Sequence, residues 1–179
     1  MSRIDLTNPD QITDERAETL AQIKGAFGVV PNMFKAVANS PAALQSMWAQ
    51  FGALGNGKLG AKVGEMVAVA VADRNRCDYC LSAHTMLGRK AGATADEMSE
   101  AQSGKSDDPR TAAVLTLATA LVEKRGQISD ADVQAARDAG LSQEEIVETV
   151  AHVALNVFTN YINVALDVPV DFTRVALTR

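Results

Sequence analysis

The sequence predicts an all-α fold of about eight helices. Three observations carry this expectation: Ala-rich stretches with aromatic residues at only 4% of the chain, helix start and stop signals that recur from end to end, and no convincing alternating strand or hairpin signal. Thr13 can cap a first helix running toward Phe27, which Gly28 then ends. "VVPNMF" (29–34) reads as an extended turn, because the residue before Pro31 is biased away from helix. Ser40-Pro41 pairs an N-cap with proline at the first helical position, opening "AALQSMWAQFGAL", and Gly55 and Gly57 close it.

"GAKVGEMVAVAVADRN" (60–75) is apolar on nearly every side between Met66 and Ala72. Its valines would suit a buried strand, but helical flanks without hairpin signals favour a buried helix. Asn75 breaks the pattern, and a new helix begins about Cys77 and runs to Gly92. Thr94 with Glu97, Ser129 with Asp132 and Ser142 with Glu145 have capping-box spacing, and Asp108-Pro109 opens "TAAVLTLATALVEKR". Gly126 and Gly140 stand where C-terminal caps belong. The last long helix runs from Gln143 to about Leu166, where "DVPVDF" cannot continue it.

A single domain over residues 1–179, with its motif-bearing core at about 41–125, is the default for this length. The net charge is −5 and there is no polybasic run with interleaved aromatics, so a nucleic-acid partner is not expected. The start, "MSRIDLTNPD", has no apolar leader segment, and "MVAVAVA" (66–72) falls far short of the roughly 20 residues that cross a bilayer. The expectation is a cytoplasmic protein without a membrane segment.

"RCDYCLSAH" (76–84) holds both cysteines and one of two histidines. On a helix, positions 77, 80 and 84 share a sector of roughly 60°, so the three side chains face one space. Cys77 and Cys80 near a helix start can bring their sulfurs within bonding distance, and the helix dipole there favours a thiolate. His84 stands one turn beyond Cys80, close enough to exchange a proton with it. Glu65 lies on the preceding, otherwise apolar helix, where an unpaired carboxylate is costly. If the two helices fold back on each other at Asn75, Glu65 approaches His84 and the cysteines.

This constellation reads as a thiol redox centre. Alternatives are two small core cysteines, or a zinc site using Cys77, Cys80 and His84 with Glu65 or His152 as the fourth ligand. Haem attachment of the c type needs histidine where Leu81 stands. His152 reads as a hydrogen-bonded core or interface residue, and Tyr79 as a packing ring rather than a lining of the substrate entrance. Arg74 and Arg76 suit a solvated face, and Trp48 and the methionines a core or subunit interface. Glu148 is followed at the same offsets that join Glu65 to Cys77, Cys80 and His84 by Asn160, Asn163 and Asp167. So few matches leave chance and a duplicated helical hairpin both open.

The pattern formed by Glu65, Cys77, Cys80 and His84 resembles the active-site motif of the alkylhydroperoxidase AhpD-like branch of the carboxymuconolactone decarboxylase superfamily. "FGVVPNMFKAVANSP" and "NYINVALDVP" are similar to segments of its peroxidase-related members. The resemblance implies an AhpD-like helical fold, a homo-oligomer (trimer or hexamer), and reduction of organic hydroperoxides without cofactor or metal. It implies Cys80 as the attacking thiol, Cys77 as the more exposed resolving partner, and Glu65 with His84 as proton relay. The reductant it implies is a dithiol, such as a lipoyl protein or a thioredoxin-like partner. Better-known members carry a histidine between the cysteines where this chain has Tyr79, which implies a shorter relay. Decarboxylating members lack the cysteine pair. A general disulfide reductase, or a redox-sensing module without turnover, would use the same residues.

Overall fold

The computed structural model describes residues 2–178. Among them are a 3₁₀ turn at Pro9–Gln11, nine α-helices and no strand: α1 Arg16–Phe27, α2 Asn32–Val37, α3 Pro41–Gly55, α4 Gly60–Arg74, α5 Asp78–Lys90, α6 Ala95–Gln102, α7 Pro109–Glu123, α8 Asp130–Asp138 and α9 Gln143–Ala165. The segment "MVAVAVA" is buried helix, as its flanks predict. Residues 66–73 of α4 are buried on every side, and α5, α6, α7 and α9 all pack against this one helix. None of the described helices is long and apolar enough to cross a membrane.

The local start signals read from sequence are realised by side-chain bonds. Ser40 and Asp108 cap α3 and α7. The three capping boxes open α6, α8 and α9 with both reciprocal bonds formed. Gly28, Gly126 and Gly140 take left-handed φ values of 80°, 79° and 87° just past helix ends.

Two expectations fail. Thr13 does not cap α1: the Asp14 carboxylate accepts the Arg16 amide at 3.0 Å and its guanidinium Nε at 2.8 Å, so the helix starts after Glu15. "VVPNMF" is not simply an extended turn, because α2 begins at Asn32 directly after Pro31. The cap responsible is distant in sequence, since the Asn32 amide donates to Asp171 Oδ2 at 2.8 Å.

Asp171 belongs to a C-terminal strap that runs from α9 back across α5. Arg174 reaches Asp78 Oδ2 at 2.8 Å, the Val175 amide donates to Ser82 Oγ at 3.1 Å, and Gln102 donates to the Ala176 carbonyl at 2.9 Å. The anchor is Asp73, a buried carboxylate on α4 that accepts from Gln102 Nε2 (2.8 Å), the Thr178 amide (2.8 Å) and Thr178 Oγ1 (2.5 Å). Burial pushes the Asp73 carboxyl up, but the bonds from Thr178 and Gln102 outweigh it and hold the group below its ordinary range. Asp73→Ala should therefore release the strap, lower stability by roughly 1.5–3 kcal/mol and speed amide exchange at residues 175–178. Protection there equal to that of the unaltered protein would show the strap to be held some other way.

Candidate active site

α4 ends at Arg74 and α5 begins at Asp78, leaving the three-residue reversal Asn75, Arg76 and Cys77. Arg76 carries it in a left-handed conformation (φ 56°) that costs a non-glycine residue energy. Around it the Cys77 amide donates to the Ala72 carbonyl at 2.9 Å, and Asn75 Nδ2 donates to Asn160 Oδ1 at 2.9 Å. Cys77 is the N-cap of α5, its Sγ accepting the Cys80 amide at 3.2 Å. One turn on, Cys80 is disulfide-bonded to it.

The reversal lays α5 back along α4. Gly88 permits the close approach: a Cβ there would lie 3.3 Å from Glu65 Cβ and 2.5 Å from Met98 Sδ. Glu65 thereby meets His84, with Oε2 2.6 Å from Nδ1. The carboxylate accepts, so Nδ1 carries the proton and Nε2 is left as the basic nitrogen. All four residues of the predicted constellation are brought to one place.

His84 stands between two cavities. The first, of about 30 Å³, is lined by Cys80, His84, Tyr79 and Asn163 with Phe34, Phe51, Leu87 and the strap's Phe172. Its aromatic wall is locked by edge-on packing, with Phe34 5.8 Å from Trp48 and 5.9 Å from Phe51. Tyr79 packs, as expected: its ring stands at 90° to Phe172, and its hydroxyl accepts the Met33 amide at 3.0 Å. Burial raises the Tyr79 hydroxyl far above its ordinary pKa, so it is not an acid in this site.

The second cavity, about 100 Å³, is lined by Glu65, His84, His152, Gly64, Leu155 and Asn156. His152 is buried, as its apolar helix predicts, yet its Nε2 has no hydrogen-bond partner among the described residues. Its ring fits only because residue 64 is glycine, where a Cβ would stand 2.9 Å from Cε1. Burial lowers the His152 pKa below 6.5, Glu148 and Glu65 oppose the shift, and His84 adds to it.

Two readings of the sequence are corrected. Cys77 is not the more exposed sulfur: it is 0% and Cys80 2% accessible, because the N-cap position turns Cys77 into the helix end while Cys80 faces the cavity. Arg74 does not serve a solvated face. Its guanidinium donates to the carbonyls of Ala70 and Gln102 at 3.2 Å and pairs with Glu123, tying α4 to α6 and α7. Arg76 is exposed as expected. In the disulfide state Cys77 and Cys80 offer no thiolate to a metal ion. No group of three His, Cys, Asp or Glu among the described residues is arranged to hold a metal ion.

Asn163 was not singled out as a site residue. Its Nδ2 donates to Cys80 Sγ at 3.2 Å from α9. The signal was present in the echo, which puts Asn163 at the offset of Cys80. The other echo partner also serves the first unit, since Glu148 accepts the amides of Lys58 (3.0 Å) and Leu59 (3.1 Å) at the start of α4.

Comparison with known proteins matches the chain twice to the carboxymuconolactone decarboxylase family model, over residues 41–106 and 102–171. The first matched segment holds Glu65, Cys77, Cys80 and His84, and the second holds the echo residues Glu148, Asn160, Asn163 and Asp167. No curated protein matches the chain. Among solved structures, a peroxidase-related protein from Ralstonia eutropha JMP134, described as an alkylhydroperoxidase AhpD core, is 24% identical with TM-score 0.86 over 95% of this chain and 92% of its own. A peroxidase-related protein from Silicibacter sp. TM1040 is 24% identical with TM-score 0.82, covering 98% and 92%. The debrominase Bmp8, as a variant in complex with 2,3,4-tribromopyrrole, is 18% identical with TM-score 0.80, covering 96% and 94%. At these identities the likeness establishes the AhpD-like helical fold.

Because His152 must be protonated at a cost in the folded state but not in the unfolded one, its contribution to stability is intact above pH 6.5 and is lost as pH falls below that value. His152→Gln should flatten this part of the pH dependence, measured as the difference in Tm between pH 8 and pH 5.5. An equal difference in both proteins would remove His152 as its source.

Proposed function

We propose, for a chain that belongs to the carboxymuconolactone decarboxylase family, that this site reduces organic hydroperoxides through Cys80 and Cys77. The observation that carries the reading is the cysteine pair itself: Cys80 faces an apolar cavity beside a histidine whose other nitrogen is held by a carboxylate. His84 Nε2 takes the Cys80 proton, and the thiolate attacks the terminal oxygen of the hydroperoxide. The S–O bond forms as the O–O bond breaks, and the alkoxide leaves as an alcohol with the proton returned by His84. The Cys77 thiolate then displaces hydroxide from the sulfenic acid, released as water, and closes the disulfide, which prevents further oxidation. A dithiol reductant supplies two electrons and two protons to reopen the pair.

The cavity supports the substrate class. About 30 Å³ holds roughly two water-sized groups, the size of a peroxy head, and the lining beyond it is aromatic and aliphatic. Complete burial of both sulfurs speaks against a folded protein's disulfide as substrate. Self-association belongs to the same reading as a homo-oligomer, trimer or hexamer. It is supported by Val147, Val150, Tyr161 and Val164, large apolar side chains left exposed along α9.

A second reading is favoured by the aromatic lining and the fold shared with a bromopyrrole-binding debrominase. Reduced cysteines would supply two electrons to a halogenated ring, the carbon–halogen bond would break, halide would leave, and the ring carbon would take a proton as the disulfide closes. Side-by-side turnover of cumene hydroperoxide and a bromopyrrole separates the two, with alcohol or bromide as product. Hydroperoxide turnover is expected to dominate, and bromide release without alcohol would replace this reading by the second.

Cys80→Ser should abolish hydroperoxide consumption, and Cys77→Ser should leave a sulfenic acid at position 80 that dimedone traps. Trapping at neither position would remove the two-cysteine cycle. Glu65→Gln should slow the reaction of reduced protein with hydroperoxide by about 10²-fold, read by stopped-flow thiol loss. An unchanged rate would detach Glu65 from the relay.

A further inference from the structure

We propose that Asn163 is a catalytic residue of this site: its carboxamide holds the Cys80 thiolate through Nδ2 and orients the hydroperoxide through Oδ1. The inference deepens the peroxidase reading and rests on it for the substrate, while the contact to sulfur stands on geometry alone.

Asn163 reaches Cys80 from the opposite helix. Its Nδ2 lies 3.2 Å from Cys80 Sγ, the side chain is 3% accessible, and it lines the same small cavity as Cys80 and His84. Oδ1 is buried without a hydrogen-bond partner among the described residues. His152 Nε2 and Asn160 Nδ2 share this condition among the described residues, but Asn163 alone of the three lines the cavity that Cys80 faces. A buried acceptor without a partner is expensive, and its place beside the sulfur points to a partner that comes and goes.

The state of the sulfur decides when the Nδ2 bond matters. A disulfide sulfur is a weak acceptor and a thiolate a strong, charge-assisted one, so the same contact strengthens when Cys80 is reduced and deprotonated. It therefore raises the thiolate fraction at neutral pH and favours the reduced pair. A hydroperoxide in the cavity presents one O–H donor, and Oδ1 is an unused acceptor on the wall it shares with the sulfur. Accepting that O–H would hold the peroxy group beside the nucleophile before attack, with no proton transferred to Asn163.

The carboxamide is fixed for this task. One turn earlier on α9, Asn160 is fully buried and its Oδ1 accepts from Asn75 Nδ2 at 2.9 Å, which clamps α9 against the reversal that carries the cysteines. The donor is thus prearranged, and little reorganisation is needed when charge appears on sulfur. His84 is the proton acceptor and Asn163 the donor to the resulting anion, arriving from different helices.

The test uses a Cys77→Ser background, in which serine keeps the N-cap and Cys80 is the sole thiol. Alkylation of Cys80 by iodoacetamide from pH 5 to pH 10 reads the thiolate directly, with no peroxide present. Adding Asn163→Leu should move the profile up by about one pH unit, a loss of roughly tenfold in thiolate at neutral pH. Asn163→Asp, nearly isosteric and acidic, should move it further. An unshifted profile in folded protein overturns the proposal. If the leucine variant does not fold, Asn163→Ala, which removes the carboxamide without adding bulk or charge, decides by the same criterion, since a merely structural asparagine would lower Tm without moving the profile.

For Oδ1, the rate with cumene hydroperoxide should fall in Asn163→Leu by about tenfold beyond what the lost thiolate explains. A fall matched by the thiolate loss removes the orienting role. A shifted alkylation profile in a protein that consumes no hydroperoxide would keep Asn163 at the thiolate and discard the peroxidase reading instead.

Discussion

A carboxylate at the edge of a helical stretch buried on all sides is costly without a partner, and for Glu65, directly before the buried residues 66–73, that partner is His84 at 2.6 Å. Meeting this requirement shapes the centre of the molecule. α5 has to return along α4, so the chain reverses within three residues and Arg76 accepts a left-handed backbone. The returning helix has to come close, so residue 88 has no side chain. Its first turn then falls where the chain emerges from the reversal, and that turn carries both cysteines. Packing of the central helix and placement of the paired sulfurs are one arrangement.

Cys77 illustrates how closely the two are joined. The N-cap position ordinarily belongs to serine, threonine, aspartate or asparagine, whose oxygen satisfies an amide at the helix start. Here a sulfur accepts the Cys80 amide while also forming the disulfide. The helix that orients His84 therefore begins at a disulfide-bonded sulfur, and reduction of the pair would act directly at the start of α5.

Much of the fold was legible because its signals are local. Capping boxes, Ser-Pro and Asp-Pro starts and glycine stops act within a few residues, and the shared face of Cys77, Cys80 and His84 follows from helical geometry alone. What escaped reading depends on distant parts of the chain. α2 is opened by Asp171 from the strap, and Arg74 is drawn inward by carbonyls on α6. Asn163 matters because α9 happens to lie against α5. Its offset from Glu148 marked it, but an offset carries no chemistry until α9 is seen against α5.

The two segments matched by the family model are not equivalent. Where one presents cysteine, the other presents Asn163 to it; where one uses its glutamate beside a histidine, the other spends Glu148 on the backbone at the start of α4. Two identical chains related by a twofold axis would have to place the same residue on both sides of a contact between equivalent positions, such as that of positions 80 and 163. With both segments in one chain that rule does not apply, and separating them would take the carboxamide away from the sulfur.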